Sequence, residues 1–143
     1  MATKQELMDL ANLRLREAEA LFDAALYDGA AYLCGYVVEL ALKARICRVL
    51  GVNEYPDSGK YKPVYAVHDF DQLLFLSGLS SKLDPGNQAI FTNWSIAVPW
   101  KPERRYSPPG TFSRRPVISS GSPARRSGCI SRIARPVRDV SVG

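Results

Sequence analysis

Cysteine and histidine are scarce in this chain, which has three cysteines and one histidine among 143 residues. Three cysteines are too few for a disulfide scaffold. Cys34 and Cys47 fall in one predicted helix at a separation of about 20 Å, beyond the reach of a disulfide. With no CxxC motif and no Cys/His cluster, the sequence predicts no zinc site. Cysteines used in this way are typical of a reducing compartment, so we expect a cytoplasmic protein.

Long apolar runs are also missing. No stretch approaches the roughly 20 residues that a membrane span requires, and the polar N-terminal residues do not resemble a signal peptide. The sequence has no glycine-rich phosphate loop, no Gly-x-Ser-x-Gly motif and no dense carboxylate cluster. It gives no positive signal for hydrolase, transferase or redox chemistry, and we expect neither a metal nor a cofactor.

Positive charge is unevenly distributed. Residues 1–113 contain 12 Lys+Arg and 13 Asp+Glu, which leaves a net charge of −1. Residues 114–143 contain seven Arg and one acid, Asp139, which gives +6. The overall charge of +5 therefore comes entirely from residues 114–143. It gives no indication of the binding partners of residues 1–113. We expect a domain over 1–113 and a separate tail over 114–143.

Four stretches have apolar residues at the three- and four-residue spacing of helices, over about 3–27, 29–50, 68–76 and 84–98. Thr3 with Glu6 has the spacing of a capping box, and Gly51 stands where a helix C-terminus favours glycine. Asp28 is predicted to cap the second helix. Residues 52–67 form a long loop, which is either functional or mobile. With no alternating strand pattern, the chain is predicted to be all-α, a helical bundle.

Three motifs occur in order along these helices. Residues 35–44 read Gly-Tyr-Val-Val-Glu-Leu-Ala-Leu-Lys-Ala, preceded at 25–32 by Ala-Leu-Tyr-Asp-Gly-Ala-Ala-Tyr. Residues 68–74 read His-Asp-Phe-Asp-Gln-Leu-Leu. Trp94 and residues 100–106, Trp-Lys-Pro-Glu-Arg-Arg-Tyr, follow. Over about 110 residues this order resembles that of the HEPN domain family.

The resemblance implies an antiparallel four-helix bundle, usually a homodimer, associated with nucleotides or RNA. It also implies a possible pairing with a nucleotidyltransferase in a toxin–antitoxin or defence system. The expected role is a non-catalytic binding or regulatory module.

One departure from the family concerns catalysis. Many HEPN proteins are ribonucleases with an arginine followed, four to six residues later, by a histidine. His68 is the only histidine here, and residues 60–63 before it contain no arginine. No histidine follows Arg104, Arg105, Arg114 or Arg115. The alternative function is a ribonuclease whose catalytic histidine lay in a lost C-terminal helix, with Arg105 or Arg114 positioning phosphate.

The tail, 114–143, contains seven Arg, six Ser, three Pro and three Gly, but no Lys and no Glu. Its composition is that of a disordered segment. It could be an arginine-rich arm that binds RNA, an ordinary disordered tail, or an out-of-frame translation of GC-rich coding DNA. The abrupt change of composition, where the family has another helix, favours the third interpretation.

Six residues are candidates for lining a ligand groove: Glu39, Lys43, His68, Arg104, Arg105 and Tyr106. Glu39 lies in an apolar stretch, so its carboxylate must be paired. Its partner is either Lys43, one helical turn away, or one of the two arginines at 104 and 105. We interpret His68 as a capping or packing residue, since it has neither a nucleophile nor a second base in the sequence.

Overall fold

A computed structural model describes residues 2–82 and 99–111. This part of the chain has four α-helices and no strand: α1 Lys4–Asp23, α2 Tyr27–Leu50, α3 Lys62–Tyr65 and α4 Phe70–Leu76. Three 3₁₀ turns, Gly59–Tyr61, Ser80–Lys82 and Pro102–Tyr106, complete it. The all-α prediction is confirmed. The helix expected over 84–98 and the tail lie outside the described residues, so the four-helix bundle stays a prediction.

The first helix packs along α2 through a narrow apolar stripe. Leu7, Ala11, Leu15 and Ala18 are its buried residues, at the three- and four-residue spacing of one helix face. The two alanines, 1% and 0% exposed, let the helix axes approach closely. The predicted capping box is confirmed, because the Thr3 side chain accepts from the Glu6 backbone and the Glu6 carboxylate accepts from Thr3 N–H.

The turn between α1 and α2 comes earlier than predicted. α1 ends at Asp23, and Ala25 takes a left-handed conformation with φ of 61°. Leu26 N–H donates to Leu21 O at 2.8 Å, which is the 6→1 hydrogen bond of a Schellman motif. The prediction that Asp28 caps α2 is therefore wrong. The helix already begins at Tyr27, so Asp28 lies in its first turn.

The second helix is the centre of the fold. It is buried on several sides, and Val37, Ile46 and Cys47 are at most 1% exposed. It ends where predicted, with Gly51 in a left-handed conformation after Leu50. On its second half pack three buried residues of α4: Phe70, Leu73 and Leu74. Within the described residues, no helix is both long enough and apolar enough to span a membrane.

The segment 52–67, predicted to be a loop throughout, contains α3 and the first 3₁₀ turn, and its start is tied to α1. Lys4 N–H donates to Asn53 O at 2.7 Å, and Tyr55 N–H donates to Ala2 O at 2.9 Å. The Tyr55 side chain is 1% exposed, and its hydroxyl donates to Tyr65 O at 2.8 Å. Burial raises the pKa of this phenol well above its usual range. The segment thereby brings the chain back to α2 just before His68.

Candidate functional site on the second helix

One face of α2 carries four polar side chains in a row. Tyr32, Tyr36, Glu39 and Lys43 follow one another at steps of four, three and four residues, so they share one face. Two other segments border this face. Residues 99–106 lie against its N-terminal half, and His68, just before α4, lies against its C-terminal half. These side chains form the candidate site.

The N-terminal half of the site is built around Trp100. Its indole lies so close to Gly35 that a Cβ on that glycine would be 2.0 Å from the ring. The ring stacks on Phe70 with centroids 5.3 Å apart and meets Tyr36 edge-on at 4.9 Å. Its Nε1–H donates to Tyr32 O at 3.1 Å. Trp100 therefore fixes the position of the 3₁₀ turn that follows it.

That turn brings a guanidinium to the two tyrosines of this face. The Arg105 guanidinium carbon is 4.9 Å from the centre of the Tyr106 ring. Hydrogen bonding to Tyr106, and then to Tyr32, raises the pKa of Arg105 above its usual range. The hydroxyls of Tyr32 and Tyr36 are 3.1 Å apart. This hydrogen bond, and then burial, raises the pKa of Tyr36 to about 12, with the Glu39 charge raising it further and Arg105 lowering it.

The C-terminal half of the site is built around a buried carboxylate. Glu39 is 3% exposed. Its Oε1 accepts from Lys43 Nζ at 2.7 Å and lies 2.8 Å from His68 Nδ1. Its Oε2 has no hydrogen-bond partner within the described residues. The Lys43 ammonium also lies 5.4 Å from the centre of the Tyr55 ring. One oxygen thus receives two donors, which compensates the charge of a carboxylate that is removed from water.

The structure brings the sequence-predicted residues together as two groups of three. Glu39, Lys43 and His68 are in direct contact. Arg104, Arg105 and Tyr106 lie together on the Pro102–Tyr106 turn, beside the tyrosines of α2. Of the two partners expected for the carboxylate, Lys43 is confirmed, and an ion pair with Arg104 or Arg105 is wrong. The turn carrying those arginines is held by Trp100 at the level of Tyr32, two helical turns before the carboxylate.

His68 was expected to cap or pack, and that interpretation is wrong. Asp69 is the cap of α4, its side chain accepting from Gln72 N–H at 2.9 Å. The His68 side chain is 57% exposed and bonds to the carboxylate of Glu39. These two residues are 29 positions apart, so no local pattern could join them.

Tyr32 and Tyr36 also belong to the site, although neither was among the six candidates from the sequence. The sequence feature that could have identified them is their spacing from Glu39, which places all three side chains on one helix face. Within residues 2–82 and 99–111 there is no group of three or more His, Cys, Asp or Glu side chains that could hold a metal ion. The arrangement offers cations and aromatic rings at one end, and an imidazole bonded to a carboxylate at the other.

Comparisons of the chain with protein-family models, with curated proteins and with solved structures found no match.

Proposed function

We propose that this protein is a non-catalytic binding or regulatory module for nucleotides or RNA, of the HEPN type. The observation that carries the proposal is the surface formed by Lys101, Arg104, Arg105 and Tyr106, hereafter the Arg105 surface. A short turn carries Arg104, Arg105 and one acid, Glu103, and Lys101 immediately precedes it. Tyr106 is 76% exposed beside the Arg105 guanidinium.

Surfaces that bind single-stranded nucleic acids typically combine cations with exposed aromatic rings. Lysine and arginine neutralise phosphates, and an aromatic face stacks on bases regardless of sequence. The turn is also ordered before binding, because Trp100 is 6% exposed and hydrogen-bonded to α2. A surface that is already ordered loses less conformational entropy when it binds.

The first test measures binding of a labelled 12-nucleotide RNA to the full chain by fluorescence anisotropy. Replacing both Arg104 and Arg105 by alanine is expected to weaken binding at least about tenfold and to reduce the salt slope by roughly 1.4, for two phosphate contacts on a single strand. The chain offers a matched control, since Lys60 lies over Tyr61 at 5.0 Å in the same kind of cation–aromatic pair. Replacing Lys60 and Lys62 by alanine removes the same charge elsewhere.

Two outcomes contradict the proposal. If the arginine and the lysine variants lose equal RNA affinity, the RNA is attracted to positive charge in general and not to the Arg105 surface. In the second outcome, both variants bind RNA as the unchanged chain does, whereas a chain ending at Ser113 does not bind. This result would show that the arginine-rich tail binds the RNA.

We also propose that the module is a homodimer, as the resemblance implies, and that a nucleotidyltransferase partner in a toxin–antitoxin or defence system is its biological context. The apolar residues Leu10 and Leu13 on α1 are 38% and 36% exposed and are available for a contact between two copies. Light scattering of the full chain at tens of micromolar is expected to give twice the mass of 15.8 kDa. A clean monomer would contradict the dimer.

A further inference from the structure

His68 combines an exposed imidazole with a buried carboxylate. Its side chain is 57% exposed, whereas that of Glu39 is 4% exposed. The contact between them is short, with 2.8 Å between His68 Nδ1 and Glu39 Oε1. Lys43 holds the same oxygen at 2.7 Å. The carboxylate is therefore fixed from the helix side, and it fixes the ring in turn.

This contact decides which ring nitrogen is reactive. An ionised carboxylate only accepts hydrogen bonds, so Nδ1 carries the proton that it receives. The neutral ring then has its lone pair on Nε2, on the side away from Glu39. A carboxylate behind the ring also stabilises any positive charge that the ring acquires. His68 thus has the arrangement of an activated nucleophile.

We propose that His68 is a modification site, whose Nε2 accepts a phosphoryl group from small donors with a good leaving group, such as phosphoramidates. The Nε2 lone pair forms a bond to phosphorus while the P–N bond of the donor breaks. The donor nitrogen, already protonated in the zwitterion, leaves as ammonia. The ring keeps its Nδ1 proton and becomes positively charged, next to the negative charge of Glu39. The proposal does not depend on nucleotide or RNA binding.

A phosphoryl group fits this site better than an acyl group because of charge. The donor is an anion, and the Lys43 ammonium contacts the same Glu39 oxygen as the His68 ring, at 2.7 Å. Cations near the point of attack raise the local concentration of an anionic reagent. Asp69 follows His68 in the chain, but its carboxylate is engaged with Gln72 N–H at the start of α4.

The experiment uses the full chain, in which His68 is the sole histidine, so any phosphohistidine signal reports on this residue. The native chain and the same chain unfolded in urea are incubated with phosphoramidate and followed by ³¹P NMR, which distinguishes the two ring positions. The native chain is expected to react only at Nε2 and roughly tenfold faster than the unfolded chain. Reaction at Nδ1, or equal rates in the two states, would overturn the proposal.

Variants then test whether the Glu39 carboxylate is the cause of the faster reaction. Glu39→Gln is expected to slow the reaction to the rate of the unfolded chain. Asp71→Asn, which removes an exposed charge from the same region, is expected to leave the rate unchanged, and equal slowing by the two variants would overturn the role of the carboxylate. The native-against-urea comparison needs no variant, so it remains decisive if Glu39→Gln does not fold.

Discussion

Replacing Gly35 by alanine is expected to lower the free energy of unfolding by about 2 kcal/mol. The new Cβ would lie 2.0 to 2.2 Å from three atoms of the Trp100 indole, far inside contact distance. The ring has little room to move, because it stacks on Phe70, meets Tyr36 edge-on and donates to Tyr32 O. Forcing such a contact costs roughly 1–3 kcal/mol, or more. The better helix propensity of alanine, about 1 kcal/mol, offsets part of this.

Gly29→Ala provides the matched control. This glycine is also in α2, but its Cβ would meet only the end of the Leu21 side chain, at 3.1 Å. Urea unfolding followed by circular dichroism is expected to show little loss for this variant. In a Trp100→Ala background, the cost of Gly35→Ala should disappear. If the cost persists there, the indole contact is not its cause.

Replacing Lys43 by methionine is expected to lower the free energy of unfolding by about 3 kcal/mol, the typical cost of leaving one charge of a buried pair without its partner. Methionine keeps most of the side-chain length, so the effect reports on charge and not on volume. The side chains of the pair are 13% and 4% exposed, and the second oxygen of Glu39 already lacks a partner within the described residues. His68 alone would then face the whole carboxylate charge.

An exposed ion pair of the same kind serves for comparison. Arg14 and Glu17 form an i,i+3 pair on α1 with side chains 34% and 38% exposed. Arg14→Met is expected to cost less than about 0.5 kcal/mol, because solvent screens such pairs. Adding Glu39→Gln to Lys43→Met should restore much of the lost stability, since the unpaired charge is removed. A cost below about 1 kcal/mol for Lys43→Met would show that the carboxylate is compensated by other groups.

Local signals in the sequence predicted the ends of helices well where side chains or glycine determine them. The Thr3–Glu6 box and Gly51 act within one turn of their own helix, so their spacing is sufficient. The α1–α2 turn was missed because its left-handed position is occupied by Ala25, a residue that seldom adopts this conformation. Asp28 and Gly29, which follow, were the stronger sequence signal for a turn, but both residues lie inside α2.

The sequence predicted one pairing of the candidate site, Glu39 with Lys43, but not the contact between Glu39 and His68. The apolar surroundings of Glu39 indicated correctly that its carboxylate needs a partner, and the four-residue spacing supplied Lys43. His68 reaches Glu39 as a second partner because the segment between them is hydrogen-bonded to the start of the chain. No local sequence pattern predicts those hydrogen bonds. In the same way, nothing near Gly35 in the sequence indicates that a tryptophan 65 positions later occupies the space of its missing side chain.

The contacts of the segment 99–111 also have a consequence for the order of folding. Trp100 bonds to a residue 68 positions away, and Gly110 N–H donates to Asp28 Oδ2 across 82 positions. Closing such long loops costs more entropy than pairing α1 with α2, which are neighbours in the chain. The helical hairpin can therefore form early, while the Arg105 surface is assembled only when the last described residues return to the start of α2.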